Sequence, residues 1–134
     1  MSYSKLTEKK LEKMNEMKGY SALCESMTAA SDGSYGAFFE MKERDAKYLL
    51  VVENTSTAAR SVKVLAGGGA FASVDLTLEL AAKQIGLVQL DSGRFKQMEK
   101  NSAVEACLDS SALGKVVLAC ANADVKVGVL VTVQ

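Results

Sequence analysis

Cys24, Cys107 and Cys120 are the strongest nucleophiles the chain holds by residue type, and Glu40, Glu43 and Asp45 form its densest group of carboxylates. Thiol chemistry needs a neighbouring base or cation to generate the thiolate. The chain contains no histidine, which removes Ser-His and Cys-His nucleophilic schemes together with the usual general base near neutral pH. The cysteines are odd in number and widely spaced, with no Cys-x-x-Cys pair and no histidine to complete a zinc site. In "ALCES", "EACLD" and "LACAN" each lies among apolar or small neighbours, the setting of a cysteine that packs as a small hydrophobe. The carboxylates alternate with Lys42, Arg44 and Lys47 in "EMKERDAK", which reads as a solvated turn between strands. A hydrolytic acid pair would have to face itself across a cleft, and linear spacing supplies no such arrangement. With no metal or cofactor signature, the expectation is a protein that is not an enzyme and takes no cofactor.

Two further motifs invite a binding reading. "AGGGAF", with Gly67, Gly68 and Gly69, resembles a loop in which backbone N–H groups approach an anion. It lacks the Gly-Lys-Ser/Thr ending and the G-x-G-x-x-G spacing, and it leads from strand to strand rather than into a helix. A loop at the tip of a sandwich is the expectation, with Phe71 either a contact anchor or folded back onto the core. "DSGRFKQ" (Asp91–Gln97) reads as a turn at Asp91-Ser92-Gly93, with Gly93 free to take a positive φ. Period-two alternation then returns Phe95 to the core and leaves Arg94 and Lys96 on the solvent face. Asn54 opens "NTS", formally a glycosylation acceptor, without consequence in a chain lacking an export signal.

The elements that must position these residues are mostly strands. "AKYLLVVEN" (46–54), "RSVKVLA" (60–66), "VDLTLEL" (74–80), "QIGLVQLD" (84–91), "KVVLACA" (115–121) and "VKVGVLVTV" (125–133) are rich in Val and Leu, and Val74, Leu76, Leu78 and Leu80 alternate with polar residues. Weaker strands are expected over 20–26 and 35–41, around a turn at Ser31-Asp32-Gly33. Short strands at this spacing predict a mainly β, antiparallel β-sandwich, immunoglobulin-like or jelly-roll-like, over residues 19–134. Residues 98–114 fit either a helix, through Ala103, Val104, Cys107 and Leu108, or an irregular loop.

Ahead of the sandwich, residues 1–18 predict an amphipathic α-helix. At about 100° per residue, Tyr3, Leu6, Leu11, Met14 and Met17 fall within an arc of roughly 140°, interrupted by Lys10, and Gly19 follows as a stop. Its favourable and unfavourable charge pairs nearly cancel, so it needs a partner surface. Leu6, Leu11, Met14 and Met17 are therefore candidate contacts for docking or oligomerisation.

Bulk composition narrows the partners. The 134 residues carry 16 Lys and Arg against 16 Asp and Glu, so no long-range field draws the chain to nucleic acid or an anionic membrane. No stretch approaches the roughly 18 consecutive apolar residues of a membrane span. The charged N-terminus lacks the apolar core of a signal peptide, and synthesis in the cytoplasm is the expectation.

"YLLVVENTSTAARSVKVLAGGG", then "VDLTLELAAKQIGLVQLDSGRFKQ", and later "GKVVLACANADVKVGVLVTV" resemble small bacteriophage and prophage structural proteins. The shared pattern is a buried strand ending in Asn-Thr, a strand entering a glycine loop, a Leu-rich strand, and a strand closed by Ser-Gly-Arg-Phe-Lys. The resemblance covers about 48–97 and 115–133 and none of the N-terminal segment. It implies a non-enzymatic virion accessory protein of head decoration, head fibre or head-to-tail type, made in the bacterial cytoplasm and associating with itself or with a capsid protein. Asn54, Gly93 and Arg94 then serve as structural turn residues, with Arg94 donating to loop carbonyls or a carboxylate. A carbohydrate-binding sandwich is the alternative, although the chain has no Trp to offer a stacking platform.

Overall fold

The structure is a computed structural model that describes residues 1–42, 47–68 and 74–132. Its framework is two packed β-sheets. Eleven strands occur among the described residues: β1 (Ser4–Lys5), β2 (Glu8–Lys10), β3 (Glu25–Ser26), β4 (Thr28–Ala29), β5 (Tyr35–Glu40), β6 (Tyr48–Asn54), β7 (Arg60–Val64), β8 (Leu76–Leu80), β9 (Ile85–Val88), β10 (Lys115–Cys120) and β11 (Val125–Val131). Two short helices, α1 (Ser92–Phe95) and α2 (Ser102–Leu108), lie between β9 and β10. Sheet A runs β5-β10-β7-β8 and sheet B runs β11-β6-β9.

The strand order is that of one long hairpin rolled up on itself. Four antiparallel pairs nest inside one another: β7 with β8, β6 with β9, β5 with β10 and β3 with β11. Alternate members of the roll fall into opposite sheets, so side chains of one parity meet in the interior. Phe39, Leu50, Val52, Val62, Leu118 and Val127 form the centre of that core. Each fully buried Val or Leu stabilises the fold by about 1.5–3 kcal/mol. β10 is apolar at nearly every position because both its faces are covered. Val116 and Leu118 point to the main core, while Val117 joins Phe38, Val104 and Leu108 in a second cluster. The second cluster is made by α2, whose start is capped by the Asn101 side chain accepting from Val104 N–H. The helical spacing at 103–108 thus marks a real helix.

The N-terminal segment departs from its periodicity. No helix forms over 4–18; Ser4–Lys5 pairs parallel to β5 in sheet A, and Glu8–Lys10 pairs parallel to β11 in sheet B. Leu6 sits at the crossing between the sheets and is buried in the main core. The return segment mirrors it: Glu25–Ser26 pairs with β11, Thr28–Ala29 pairs with β5, and Met27 is buried at that crossing. Two pairings in an otherwise antiparallel sandwich are therefore parallel, and residues 4–10 belong to its sheets. The physical reason is competition. A helix with cancelling charge pairs gains little in water, whereas the outer edges of β5 and β11 offer backbone hydrogen bonds as well as burial for Leu6. The strand expected over 20–26 shrinks to Glu25–Ser26, and residues 12–23 lie exposed over the surface. Leu23 and Cys24 cross the outside of sheet B against Gly128, where a Cβ would overlap the Leu23 carbonyl.

Candidate functional site

Three clusters of polar side chains and one apolar surface stand out once the sheets are in place. The first cluster occupies the end of the sandwich where the β6–β7, β8–β9 and β10–β11 loops meet. Asn54, buried at the last position of β6, donates through Nδ2 to the carbonyls of Ala58 (2.8 Å) and Ala81 (3.0 Å) and accepts from Ser56 N–H through Oδ1 (3.0 Å). Thr55 donates through both its N–H and its hydroxyl to Asp124 O. Arg60 grips the Asp124 carboxylate in a two-point contact, Nε to Oδ1 at 3.0 Å and Nη2 to Oδ2 at 3.1 Å. That contact lowers the Asp124 pKa below its ordinary value and raises that of Arg60. The charges cancel locally. An open hollow of about 480 Å³ lies beside them, walled by Arg60, Glu79 and Asn122 with the Ala59, Ser61 and Ala81 backbone.

The second cluster joins the Ser31-Asp32-Gly33 turn, where Gly33 has φ of 86°, to the N-terminus and α2. Tyr3 and Ser34 share a hydroxyl–hydroxyl hydrogen bond, Ser34 donates to Asp32 Oδ1 at 2.6 Å, and the Cys107 thiol points at Asp32 Oδ2 from 3.6 Å. Burial pushes the Tyr3 phenol up to about 12. Hydrogen bonds from Ser34 hold Asp32 below the usual carboxylate range, and burial raises the Cys107 thiol. Both shifts keep the phenol and the thiol protonated near neutral pH, and the hydrogen bonds tie the turn to the N-terminus and α2. Cys24 behaves similarly: burial raises it to about 11, and its Sγ lies 3.8 Å from Val51 O. All three cysteines are free, with Cys120 buried in the main core. Among the described residues no group of three Cys, Asp or Glu could hold a metal ion, and no helix is long and apolar enough to cross a membrane.

The third cluster is "DSGRFKQ". Its turn is a single helical turn, α1, capped by Asp91 Oδ1 accepting from Arg94 N–H at 2.8 Å. Gly93 sits inside that turn, and among the described residues the positive-φ glycines are Gly33 and Gly114 instead. The cap explains the change: Asp91 at the N-cap position favours helical geometry over the next residues. Phe95 and Gln97 are buried and Arg94 is exposed, its side chain 3.6 Å from the Asp91 carboxylate. Arg94 O accepts from Gly67 N–H at 2.7 Å, and Gln97 Nε2 donates to Ala66 O at 2.9 Å. A Cβ at Gly67 would overlap the Lys96 carbonyl. The glycine run therefore begins as a close backbone-to-backbone seam, which no side chain fits. Phe71 lies outside the described residues, as do Glu43 and Asp45.

The expected docking residues do not share a face. Leu6 is in the core, Leu11 is half-buried with its N–H donating to Val131 O, and Met14 and Met17 stand out on the 12–23 segment, Met17 at 92% exposure. A second exposed apolar pair, which local periodicity does not single out, lies on β9. Ile85 (60%) and Leu87 (65%) project from the outer face of sheet B. The available signal was "QIGLVQL" itself, apolar at four positions in a row where a half-buried edge strand would alternate. Between β8 and β9 a largely apolar notch of about 250 Å³ opens to the side of the sandwich, lined by Val52, Leu78, Leu80, Gly86, Leu87 and Val88 together with Thr77 and Glu79. No protein-family model, curated protein or solved structure matches the chain.

Proposed function

We propose that the chain is a non-enzymatic structural protein of a bacteriophage or prophage particle, a capsid-associated accessory or decoration protein working through protein–protein contacts. The observation that carries this reading is the rolled strand order. Four nested antiparallel pairs, split as β3-β11-β6-β9 and β5-β10-β7-β8, support reading the sandwich as a jelly roll, an architecture used in viral shells and in lectins. An immunoglobulin-like order is the weaker reading. It would place the first two strands of the sandwich side by side, whereas β3 and β5, the first two strands of the roll, lie in opposite sheets. The contact role draws added support from Ile85 and Leu87, large apolar side chains exposed on the outer face of sheet B. On this reading the protein is made in the bacterial cytoplasm and becomes virion-associated. Quantitative mass spectrometry of particles purified after prophage induction tests it. A fixed ratio to the major capsid protein is expected; abundance in the lysate with absence from particles would overturn it.

The second reading, a carbohydrate-binding module, rests on the polar hollow walled by Arg60, Glu79 and Asn122. No aromatic ring lines that hollow, so it lacks a stacking platform. Glycan-array binding abolished by Glu79→Ala would favour this reading over the first.

A further inference from the structure

The four sheet edges are treated differently. The β5 and β11 edges are each covered by two short strands from the N-terminal region. Among the described residues the β8 edge is uncovered, but the strand carries Glu79, a charge of the kind that discourages edge-to-edge pairing. β9 has neither device among the described residues. It is Ile-Gly-Leu-Val, uncharged and without proline, and β6 is its sole strand partner.

The direction of its free backbone groups follows from the register with β6. Asn54 N–H donates to Gln84 O at 2.9 Å. Antiparallel ladders alternate bonded and non-bonded pairs, so Val52–Gly86 and Leu50–Val88 are the next bonded pairs, and Glu53–Ile85 and Val51–Leu87 are not. The N–H and C=O groups of Ile85 and Leu87 therefore point away from β6, to the open side. Their side chains both lie on the outer face, exposed.

We propose that this edge pairs with the same edge of a second copy of the chain, β9 against β9 antiparallel about a two-fold axis at Gly86. The match is self-complementary. Ile85 of each copy faces Leu87 of the other, which satisfies the four outward backbone groups of each strand and pairs the exposed side chains on one face. Opposed residues must share a face in a continuous sheet, and this register meets that requirement. Gly86 faces Gly86 in the close, non-bonded position, a place where glycine admits a neighbouring backbone. The strand itself is uncharged, and the whole chain carries no net charge to drive copies apart at long range. The second strand also shields the apolar notch between β8 and β9 from the side. A four-residue edge buries less than a standard interface of about 1,600 Å², so the dimer is a weak one. This inference deepens the protein-contact reading without requiring a particle, and its test on isolated protein can fail independently of particle attachment.

Sedimentation analysis of the full chain from about 10 µM to about 1 mM, the range a small interface calls for, is expected to show a concentration-dependent monomer–dimer equilibrium. Leu87→Lys places a cation at each exposed site near the axis and is expected to weaken association at least tenfold, with the circular dichroism spectrum unchanged. Gly86→Cys reports the register, because non-bonded partners sit about 4.5 Å apart at Cα, within disulfide range. An oxidised, disulfide-linked dimer is expected for that variant and not for the parent chain with its three native cysteines. A monomer at every concentration, or a dimer that Leu87→Lys leaves intact, overturns the proposal. A dimer sensitive to Leu87→Lys that Gly86→Cys does not cross-link overturns the two-fold register.

Discussion

The two lateral sides of the sandwich solve the same problem in opposite ways. Along β5 and β11 the chain covers its own edges: β1 and β2 run from sheet A to sheet B, and β3 and β4 return from B to A. Thr7 N–H and Lys9 Nζ both donate to the Glu25 carboxylate, which ties the two crossing segments together. Along β8 and β9 nothing from the described chain covers either edge, and the core residues there, Leu76, Leu78 and Val88, are only partly buried. An edge closed from within is committed to stability. An edge left open keeps its hydrogen-bonding groups for another chain.

That contrast is sharpest in stability measurements. Leu6→Ala empties a core position at the closed side's crossing and is expected to cost about 2–5 kcal/mol in urea unfolding; a loss under about 1 kcal/mol would show that the crossing segment is not held. Asn54→Ala strands the Ala58 and Ala81 carbonyls and Ser56 N–H at the sandwich end, and an intermediate loss of about 2–3 kcal/mol is expected in the same assay. The Arg60–Asp124 pair gives a pH signature. Because the folded pKa of Asp124 lies below its ordinary 3.8, the pair's contribution is present above that pH and is lost as pH falls through the folded value. Thermal midpoints of Asp124→Asn should therefore fall less between pH 5 and pH 2 than those of the parent chain. Leu87→Lys on the open side should change monomer stability least, within about 0.5 kcal/mol, since its side chain is exposed. A larger loss there would mean that β9 is internally supported after all.

The residues that were legible in the sequence and those that were not divide along the same line. From Tyr48 onward the Val- and Leu-rich runs mark strands because each turns one face toward the core, fully buried in most and half-buried in β9, and the six strongest appear within a few residues of their expected bounds. Val104 and Leu108, four apart, mark α2 because one helical turn carries both into one apolar cluster. The N-terminal segment misleads because Tyr3, Leu6, Leu11, Met14 and Met17 happen to recur at helical spacing. Tyr3 is buried in the outer cluster and Leu6 in the main core, a split between two sides of a sheet that no single helix face could make. What decides their fate is the unpaired edges of β5 and β11, which local periodicity does not record. The pairing of Arg60 with Asp124 was equally invisible, since the rolled topology alone brings those distant positions together. Gly93 was read as a turn glycine when Asp91 already encoded a cap.

The nested order of the strands also dictates a timetable. The innermost pair, β7 with β8, joins neighbours in the sequence and can form as soon as both have been synthesised. The outermost pair joins Ser26 to Lys126, and β2 waits likewise for Val129, Leu130 and Val131. β1 and β4 meet β5 early, but β2 and β3 have no strand partner until β11 is made, and those closing contacts are the slow, long-range kind. β2 and β3 are made among the first strands and must be placed last.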